Sequence, residues 1–278
     1  MDKALFKIAN IKSLVSENVF FYECNYSNFS YPRHFHEEYL VQIVLKGRNK
    51  FFCKGKNFLA QPGNIVLINP SEIHDGTAPK NEILEYKVFY ICVPALHKLF
   101  SEKYTQHDLS VLYFNQSLVR DKCLFQKIYT YFDTQRRDKI DSLESSQLYY
   151  EIMAHIIGRY STLGSADEKI SLPYTTNINR LKGYINDNIG DKLLLKDLSR
   201  ICAISPFHLL RIFTCHTGIT LHKYVTITRI ERSKQMLRNK QDISDISHLL
   251  GFADQCHFTR YFKKMVGTTP GEFQRSLV

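Results

Sequence analysis

The sequence predicts a two-domain protein of the α+β class, with an antiparallel β-barrel and a helical element in the first domain and only helices in the second. Three observations support this fold class. Short β-rich runs fill residues 19–92, helical periodicity starts at residue 118, and one helical pattern occurs twice in the C-terminal third. We expect the first domain at residues 1–162, a linker at residues 163–176 and the second domain at residues 177–278.

The β-rich runs of the first domain are separated by residues that favour turns. Gly47, Gly55 and the pair Pro62-Gly63 lie between successive runs, as turn residues do between antiparallel strands. The predicted strands are Val19–Tyr22, Tyr39–Leu45, Lys50–Cys53, Ile65–Ile68 and Glu85–Cys92. This pattern predicts an antiparallel barrel or sandwich.

Two histidine motifs accompany these strands. A His-Phe-His sequence at residues 34–36 opens the strand that leads to Gly47, and the segment Ile68–His74 closes a later strand. This arrangement is similar to that of a cupin barrel. In metal-binding cupins both histidines of the first motif, a glutamate four or five residues later and a histidine of the second motif bind one ion. The corresponding positions here are Leu40 and Val41, which cannot bind a metal.

We therefore expect no metal and no other cofactor, although His34, His36 and His74 would suffice to hold a divalent ion. Instead, these three histidines and Glu38 are expected to line a pocket for a small polar effector. Glu38 is included because alternation along a strand would place it on the face of the two preceding histidines. Two alternatives stay open: a metal-dependent cupin enzyme fused to the helical second domain, or a barrel without a ligand that only dimerises or binds a protein.

Two helices are predicted after the barrel, at residues 118–135 and 141–162. Each carries an apolar stripe at helical spacing, formed by Leu124, Ile128 and Tyr131 in the first and by Tyr149, Met153, Ile156 and Tyr160 in the second. The stripes either only pack on the barrel or also form a two-fold dimer contact. The polar stretch that starts at Thr162 lacks periodicity and begins the predicted linker.

The C-terminal third contains one helical pattern twice, at a constant offset of 49 residues. The pairs are Leu209 and Phe258, Arg211 and Arg260, Phe213 and Phe262, Gly218 and Gly267, Thr220 and Thr269, and Tyr224 and Phe273. Apolar, basic and glycine positions share this offset, which chance does not readily produce. The repeat predicts two helix-turn-helix motifs, at about residues 194–216 and 242–266.

The distribution of charge indicates a nucleic acid partner. The chain has a net charge of +10, and residues 171–278 carry +8 of it, with 16 Lys and Arg against 8 Asp and Glu. A compact basic domain binds polyanions through release of counterions, so we expect double-stranded DNA as the partner. No apolar run approaches the roughly 20 residues that cross a bilayer, and the N-terminus does not resemble a signal peptide, so no membrane partner is expected. Seven cysteines without a Cys-x-x-Cys pair favour reduced thiols in the cytoplasm.

The second helix of each predicted motif should present a polar face to DNA. In the first motif, Ser205-Pro206 begins a helix that runs to about His216, and Leu209, Ile212 and Phe213 face inward. In the second, Asp254 caps a helix with Phe258, Phe262 and Met265 inward. The candidate DNA-binding residues are Phe207, His208, Arg211, Thr214, Gln255, Cys256, Thr259, Arg260 and Lys263.

Different contacts are expected from these side chains. Arg211 and Arg260 are suited to bidentate hydrogen bonds with guanine, while Phe207 either contacts a sugar or thymine methyl group or only packs within the domain. Phosphate contacts are expected from Lys263, Lys264, Lys223 and Arg229. One helix from Ile219 to Arg238, about 30 Å long, would separate the motifs by nearly one turn of B-DNA. A Ser/Thr-x-x-Glu capping box at Thr269–Glu272 predicts a short last helix.

The segment at about residues 174–276 resembles the AraC/XylS-type DNA-binding domain. Its motifs are Ile-x-x-Ile-Ser, Leu-Gly-Phe, Asp-Gln-Cys-His-Phe-Thr-Arg-x-Phe-Lys-Lys and Gly-x-Thr-Pro. Two departures are Ser247, where the family usually has alanine, and the apolar Leu210 beside Arg211. The family often carries a cupin-like sensor, and the resemblance favours a dimeric transcription regulator over an enzyme. If such a protein activates transcription, RNA polymerase is a further partner.

Overall fold

In the computed structural model, the described residues are 6–11, 19–100, 112–135, 142–163 and 175–276. The chain divides into two compact units. The N-terminal unit consists mainly of residues up to 163, and the C-terminal unit mainly of residues 175–276.

Three antiparallel sheets form the framework of the N-terminal unit. Its strands are β1 (Phe6–Ile11), β2 (Val19–Ser27), β3 (Ser30–His34), β4 (Tyr39–Lys46), β5 (Asn49–Cys53), β6 (Lys56–Ala60), β7 (Ile65–Ile68), β8 (His74–Thr77), β9 (Ile83–Ile91), β10 (Leu112–Phe114), β11 (Leu118–Val119) and β12 (Ser161–Leu163). The largest sheet has the order β1-β2-β9-β4-β7-β11, the second β3-β8-β5-β6, and β10 pairs with β12. The longest ladders of the six-stranded sheet are the antiparallel pairs β2–β9 and β4–β9. These pairs confirm the predicted antiparallel β domain.

The predicted β-rich runs all lie in strands, except that Cys92 falls just after β9. Within residues 19–92 the prediction missed β3, β6 and β8, because these strands contain residues that are rare within strands, and it included none of the strands outside this range. Pro32 lies in β3, and Asp75 and Gly76 lie in β8. Their extended conformation depends on pairing with neighbouring strands, which the local sequence pattern does not show.

The helices of the N-terminal unit are α1 (Val93–Phe100), α2 (Lys122–Thr134) and α3 (Ser142–Tyr160). The predicted helix at residues 118–135 is therefore too long at its start. Leu118 pairs with Val66 in β7, and the Asp121 carboxylate caps α2 by accepting a hydrogen bond from the Leu124 amide at 2.9 Å. The predicted helix at residues 141–162 likewise ends early, because its last residues form β12.

Helices α2 and α3 pack on the six-stranded sheet through a continuous apolar core. Phe21 from β2 stacks on Tyr131 with ring centroids 5.2 Å apart, and Phe89 from β9 stacks on Phe132 at 4.8 Å. The predicted stripes are confirmed as buried, since Leu124, Ile128, Tyr131, Tyr149, Met153, Ile156 and Tyr160 are all at most 8% exposed. The opposite faces of the two helices leave Tyr129 and Tyr150 more than 40% exposed.

The regular elements described in residues 175–276 are all helices. Its helices are α4 (Thr175–Asp187), α5 (Leu195–Ile201), α6 (Pro206–Thr217), α7 (Leu221–Arg238), α8 (Ile243–Leu249), α9 (Gln255–Val266) and α10 (Pro270–Arg275). Helices α5 and α6 form the first helix-turn-helix motif, and α8 and α9 form the second. The predicted capping box of α10 is confirmed, with reciprocal bonds between Thr269 and Glu272. Across the described parts of the chain, no helix combines the length and apolar character that a bilayer span requires.

Two boundaries of this unit differ from the prediction. Helix α7 starts at Leu221 instead of Ile219, because the Thr220 side chain caps it by accepting a hydrogen bond from the Lys223 amide. Its 18 residues give a length of about 27 Å. Helix α4 starts at Thr175, within the predicted linker of residues 163–176, and residues 164–174 of that linker lie outside the described residues.

Arg229 on α7 joins the two helix-turn-helix motifs. Its guanidinium donates hydrogen bonds to the carbonyl oxygens of Ile189 and Asp191, which precede the first motif, and of Gly251, in the turn of the second. The three donor–acceptor distances are 3.1, 3.1 and 2.5 Å respectively. The expectation that Arg229 contacts a phosphate is wrong, because its fork of donors is used by these carbonyl groups.

Close contact between two turns accompanies these bonds. A Cβ atom added to Gly190 would lie 2.4 Å from the carbonyl oxygen of Leu249, and one added to Gly251 would lie 2.7 Å from that of Gly190. Gly251 also has a φ of +69°, which confirms that glycine permits this turn. The glycines therefore allow the backbones to approach closely enough for one arginine to bind both.

We predict that Arg229→Met lowers the free energy of unfolding of the C-terminal unit by about 2–4 kcal/mol, because three carbonyl groups lose a charged donor. Chemical denaturation of the full chain, followed by a probe in this unit, measures the change. Arg232→Met on the exposed face of the same helix is the matched control and should change stability by less than about 0.5 kcal/mol. Equal stability of the two variants would contradict the role given to Arg229.

Candidate nucleic-acid interface and effector site

Helix α6 presents one apolar and one exposed face, as its sequence predicts. Ser205 caps it by accepting a hydrogen bond from the His208 amide, and Pro206 occupies the first turn. Leu209, Ile212 and Phe213 are buried. On the other face, the side chains of Phe207, Leu210, Arg211 and Thr214 are exposed, and His208 is half-buried. The helix ends at Gly218, whose φ of +73° fits a left-handed cap.

Helix α9 repeats this arrangement. The Asp254 carboxylate caps it by accepting a hydrogen bond from the His257 amide at 2.6 Å, and Phe258, Phe262 and Met265 are buried. Its exposed residues are Gln255, Cys256, Arg260, Lys263 and Lys264, while Thr259 is half-buried. The inward and outward faces predicted for both helices are therefore the faces that the structure shows.

Corresponding positions of the two outer faces differ in chemistry. Arg211 and Arg260 are both exposed and occupy equivalent positions. Phe207 of the first face corresponds to Cys256 of the second, Leu210 to Thr259, and Thr214 to Lys263. The two faces thus share a central arginine, but the first is more apolar and the second more polar and basic.

A groove of about 650 Å³ lies between the two motifs. Leu210 of α6 and His257 of α9 both line it, and Arg229 forms part of its wall. His257 is half-buried beside Tyr261, with ring centroids 4.8 Å apart, so it supports α9 from the inner side. Both motifs therefore contribute residues to one groove beside α7 and Arg229.

Two of the four predicted effector residues come together in the N-terminal unit. The rings of His36 and His74 meet edge to face with centroids 4.8 Å apart, and His36 also contacts Tyr90 at 5.2 Å. Both histidines are at most 5% exposed. Their Nδ1 atoms lie 2.7 and 2.8 Å from the carbonyl oxygens of Glu38 and Glu72, respectively, which orients both rings.

His34 and Glu38 do not share a strand with His36. His34 is the last residue of β3, and its Nδ1 atom lies 2.9 Å from the carbonyl oxygen of Pro32. Residues 35–38 are not in a strand, and β4 begins only at Tyr39. The alternation used to place Glu38 on the face of the histidines is therefore wrong. Within the described ranges, no three His, Cys, Asp or Glu side chains are placed to hold a metal ion.

A polar cluster beside His74 was not predicted. Glu72 accepts a hydrogen bond from the Tyr113 hydroxyl at 3.0 Å and lies 3.8 Å from the Lys54 ammonium group. The Glu72 carboxylate also accepts a bond from Asn69 at 3.2 Å, and burial and Glu72 together raise the pKa of Tyr113. Asn69 and Glu72 lie in the loop between β7 and β8, Lys54 in the turn after β5 and Tyr113 in β10. Because these three segments are far apart in the chain, no spacing in the sequence indicates the cluster.

Models of two protein families match the chain. Residues 18–156 match the AraC-like ligand binding domain, and residues 198–276 match a helix-turn-helix domain. The chain belongs to the AraC family of transcription regulators. This AraC-family protein therefore has a DNA-binding domain of the helix-turn-helix type after a β-rich domain of the ligand-binding type, as the sequence motifs predict.

The chain is also similar to individual proteins of known sequence or structure. The chain is 25% identical to the uncharacterized HTH-type transcriptional regulator YbfI of Bacillus subtilis over 82% of this chain and 81% of that protein. It is 23% identical to the arabinose operon regulatory protein of Escherichia coli over 85% and 80%. The crystal structure of unsaturated fatty acid bound wild-type ToxT from Vibrio cholerae has the same fold, with a TM-score of 0.59 at 14% identity, covering 100% of this chain and 97% of that chain.

Proposed function

We propose that this AraC-family regulator reads specific double-stranded DNA with α6 and α9, and that an effector in the N-terminal domain controls how a homodimer presents these helices. One observation carries the proposal. Arg211 and Arg260 are both exposed, lie on two capped helices, and occupy equivalent positions of the 49-residue repeat. The motifs lie in the part of the chain that carries +8 of its net charge of +10. Binding to chromosomal DNA in turn requires a cytoplasmic location.

The arginines are the proposed base-reading residues. In helix-turn-helix proteins the N-terminal half of the second helix contacts base edges in the major groove, and Arg211 and Arg260 each lie in the second turn of such a helix. A guanidinium donates two parallel hydrogen bonds to guanine O6 and N7. The polar side chains beside the arginines, those of His208, Thr214, Gln255, Cys256 and Thr259, would add further contacts.

Lysines are the proposed phosphate contacts. Lys263 and Lys264 are exposed in the last turns of α9, and Lys223 is half-buried in the first turn of α7. Such contacts position a protein on the duplex without distinguishing bases. The length of α7, about 27 Å, is close to the roughly 34 Å between successive major-groove faces, so one chain would read two adjacent groove segments.

The effector site is proposed around His36 and His74, with His34 and Glu38 nearby in sequence. Two buried histidines in contact with Tyr90, beside the cluster of Glu72 and Tyr113, place several polar groups within an otherwise apolar barrel. A few fixed polar groups in an apolar surrounding are typical of small-molecule sites. We propose a small polar effector that acts without chemical conversion, through its different affinity for two arrangements of the dimer.

The homodimer is proposed to form through the exposed faces of α2 and α3. Tyr129 is 42% exposed and Tyr150 is 44% exposed, whereas the opposite faces of these helices are buried in the core. Exposed aromatic side chains on neighbouring helices are typical of protein interfaces. Two chains on repeated half-sites would bind more tightly through effective concentration, and activation would add a contact with RNA polymerase.

The test of DNA recognition uses genomic fragments that the purified protein retains at about 150 mM salt, where non-specific binding is weak. We predict that the wild type enriches a few promoter regions. Arg211→Ala and Arg260→Ala should each weaken binding to these regions by about 1–3 kcal/mol, because each removes a bidentate base contact. Affinities for one enriched site and for random DNA measure the loss of selectivity.

Lys263→Ala serves as the comparison for these arginine variants. It should weaken binding to all sequences alike and lower the slope of log affinity against log salt, because it removes a phosphate contact. If both arginine variants lost equal affinity for specific and random DNA, they would be phosphate contacts. If the wild type enriched no sequence at any salt concentration, the proposed function would be refuted.

For the effector site, a panel of sugars and carboxylic acids at millimolar concentration is the probe. We predict that at least one compound raises the melting temperature of the wild type with rising concentration and changes its affinity for an enriched DNA site. His74→Gln should reduce the shift, whereas His155→Gln on α3 should leave it unchanged. A compound that stabilises the wild type and His74→Gln equally would place its site elsewhere.

For the dimer, sedimentation velocity compares the wild type with the double variant Tyr129→Lys/Tyr150→Lys. The wild type should sediment as a dimer at micromolar concentration, and the double variant as a monomer, because two charges would be buried in the interface. Tyr184→Lys changes a tyrosine of α4 that is 39% exposed and should remain dimeric. A dimeric double variant would exclude this face as the contact.

A further inference from the structure

Phe207 is unusually exposed for a large apolar side chain. It is 80% exposed, more than any other large hydrophobic residue whose exposure the described structure gives, and the next value is 62% for Leu249. Phe207 is the second residue of α6, between the capping residue Ser205 and the proposed base-reading residue Arg211. The alternative that Phe207 only packs within the domain is therefore wrong.

The position of Phe207 limits what it can contact on DNA. It lies one turn before Arg211 on the same outward face, and both are exposed. The first residues of such a helix lie nearest the base edges in the major groove. A residue there meets hydrogen-bonding groups from every base, and the only apolar group on those edges is the C5-methyl group of thymine.

We propose that Phe207 recognises this methyl group, so that the half-site of the first motif contains a thymine beside the guanine bound by Arg211. This inference rests on the proposed function and names the base that the same surface selects. The half-apolar neighbour Leu210, 39% exposed, would extend the apolar surface around the methyl group. In the second motif Cys256 replaces Phe207 and Thr259 replaces Leu210, so the two motifs read different sequences.

The repeat itself supports this difference. The buried residues and caps of α6 and α9 match, so the two helices have the same local structure. Exposure of phenylalanine to water is unfavourable and contributes nothing to the fold, since the corresponding position in α9 holds cysteine. The aromatic side chain is thus explained by contact with another molecule at the face where DNA is proposed to bind.

The experiment has two stages. First, selection from random DNA duplexes is carried out in parallel with the wild type, Phe207→Ala, Phe207→Leu and the matched control Leu249→Ala, which removes another exposed apolar side chain. The wild type and Leu249→Ala should select a thymine at one position of the first half-site. Phe207→Ala should lose this preference and keep the guanine positions, while Phe207→Leu should keep it because leucine also offers an apolar contact.

Second, the selected thymine is replaced by deoxyuridine, which lacks only the methyl group. The wild type and Leu249→Ala should lose affinity by about fourfold, as expected for one buried methyl group, and Phe207→Ala should show no difference between the two duplexes. Because Phe207 is exposed, Phe207→Ala should unfold at the same temperature as the wild type.

The outcomes separate the inference from the proposed function. The thymine contact alone would be overturned if the wild type bound selectively but with equal affinity for thymine and deoxyuridine. It would also be overturned if Phe207→Ala depended on the methyl group as much as the wild type does. A reduced affinity of Phe207→Ala for every sequence would assign Phe207 to the sugar-phosphate backbone, and unchanged DNA binding would assign it to a protein partner. Both results overturn the inference while Arg211→Ala still tests the proposed function. If the wild type selects no sequence, both proposals fail.

Discussion

The hydrogen bonds of Arg229 with the carbonyl groups of Ile189, Asp191 and Gly251 determine how the DNA-binding domain is assembled. A guanidinium that is partly removed from water is stable only when its donors are satisfied, and these backbone carbonyls satisfy them. The bonds connect the segment before the first helix-turn-helix motif with the turn of the second. As a result, backbone groups of both motifs are joined through one side chain of α7.

Glycine is required at the same place for a steric reason. The carbonyl oxygen of Gly190 lies so close to Gly251 that a Cβ atom there would approach it to 2.7 Å, and the positive φ of Gly251 adds conformational strain for other residues. The joint therefore consists of a close backbone contact and one long side chain that bridges it. Neither helix-turn-helix motif forms this joint alone, because the hydrogen-bond donors belong to Arg229 on α7, which lies between the two motifs.

The core of the N-terminal domain is held together by apolar contacts. It is formed by aromatic and aliphatic side chains from the sheet and from α2 and α3. His36, His74 and the cluster around Glu72 are nevertheless buried or half-buried near one another. Burial of polar groups costs free energy unless they are paired, and here the histidine Nδ1 atoms lie near carbonyl oxygens and Glu72 binds Tyr113 and Asn69. The proposed effector site lies at this concentration of polar groups. The family of the protein agrees with this proposal.

Local patterns in the sequence determined the class of fold, the two repeated motifs, the caps at Ser205, Asp254 and Thr269, and the inward and outward faces of α6 and α9. These features depend on periodicity and on hydrogen bonds between residues close in sequence, which spacing records directly. Tertiary structure alone decided that Arg229 binds backbone carbonyls, that Glu38 does not share a strand with the histidines, and that Phe207, on the face predicted to point outward, stays 80% exposed instead of packing within the domain. Each of these depends on contacts between segments distant in the chain, and residue type and spacing do not determine which distant groups meet or which side chains they leave uncovered.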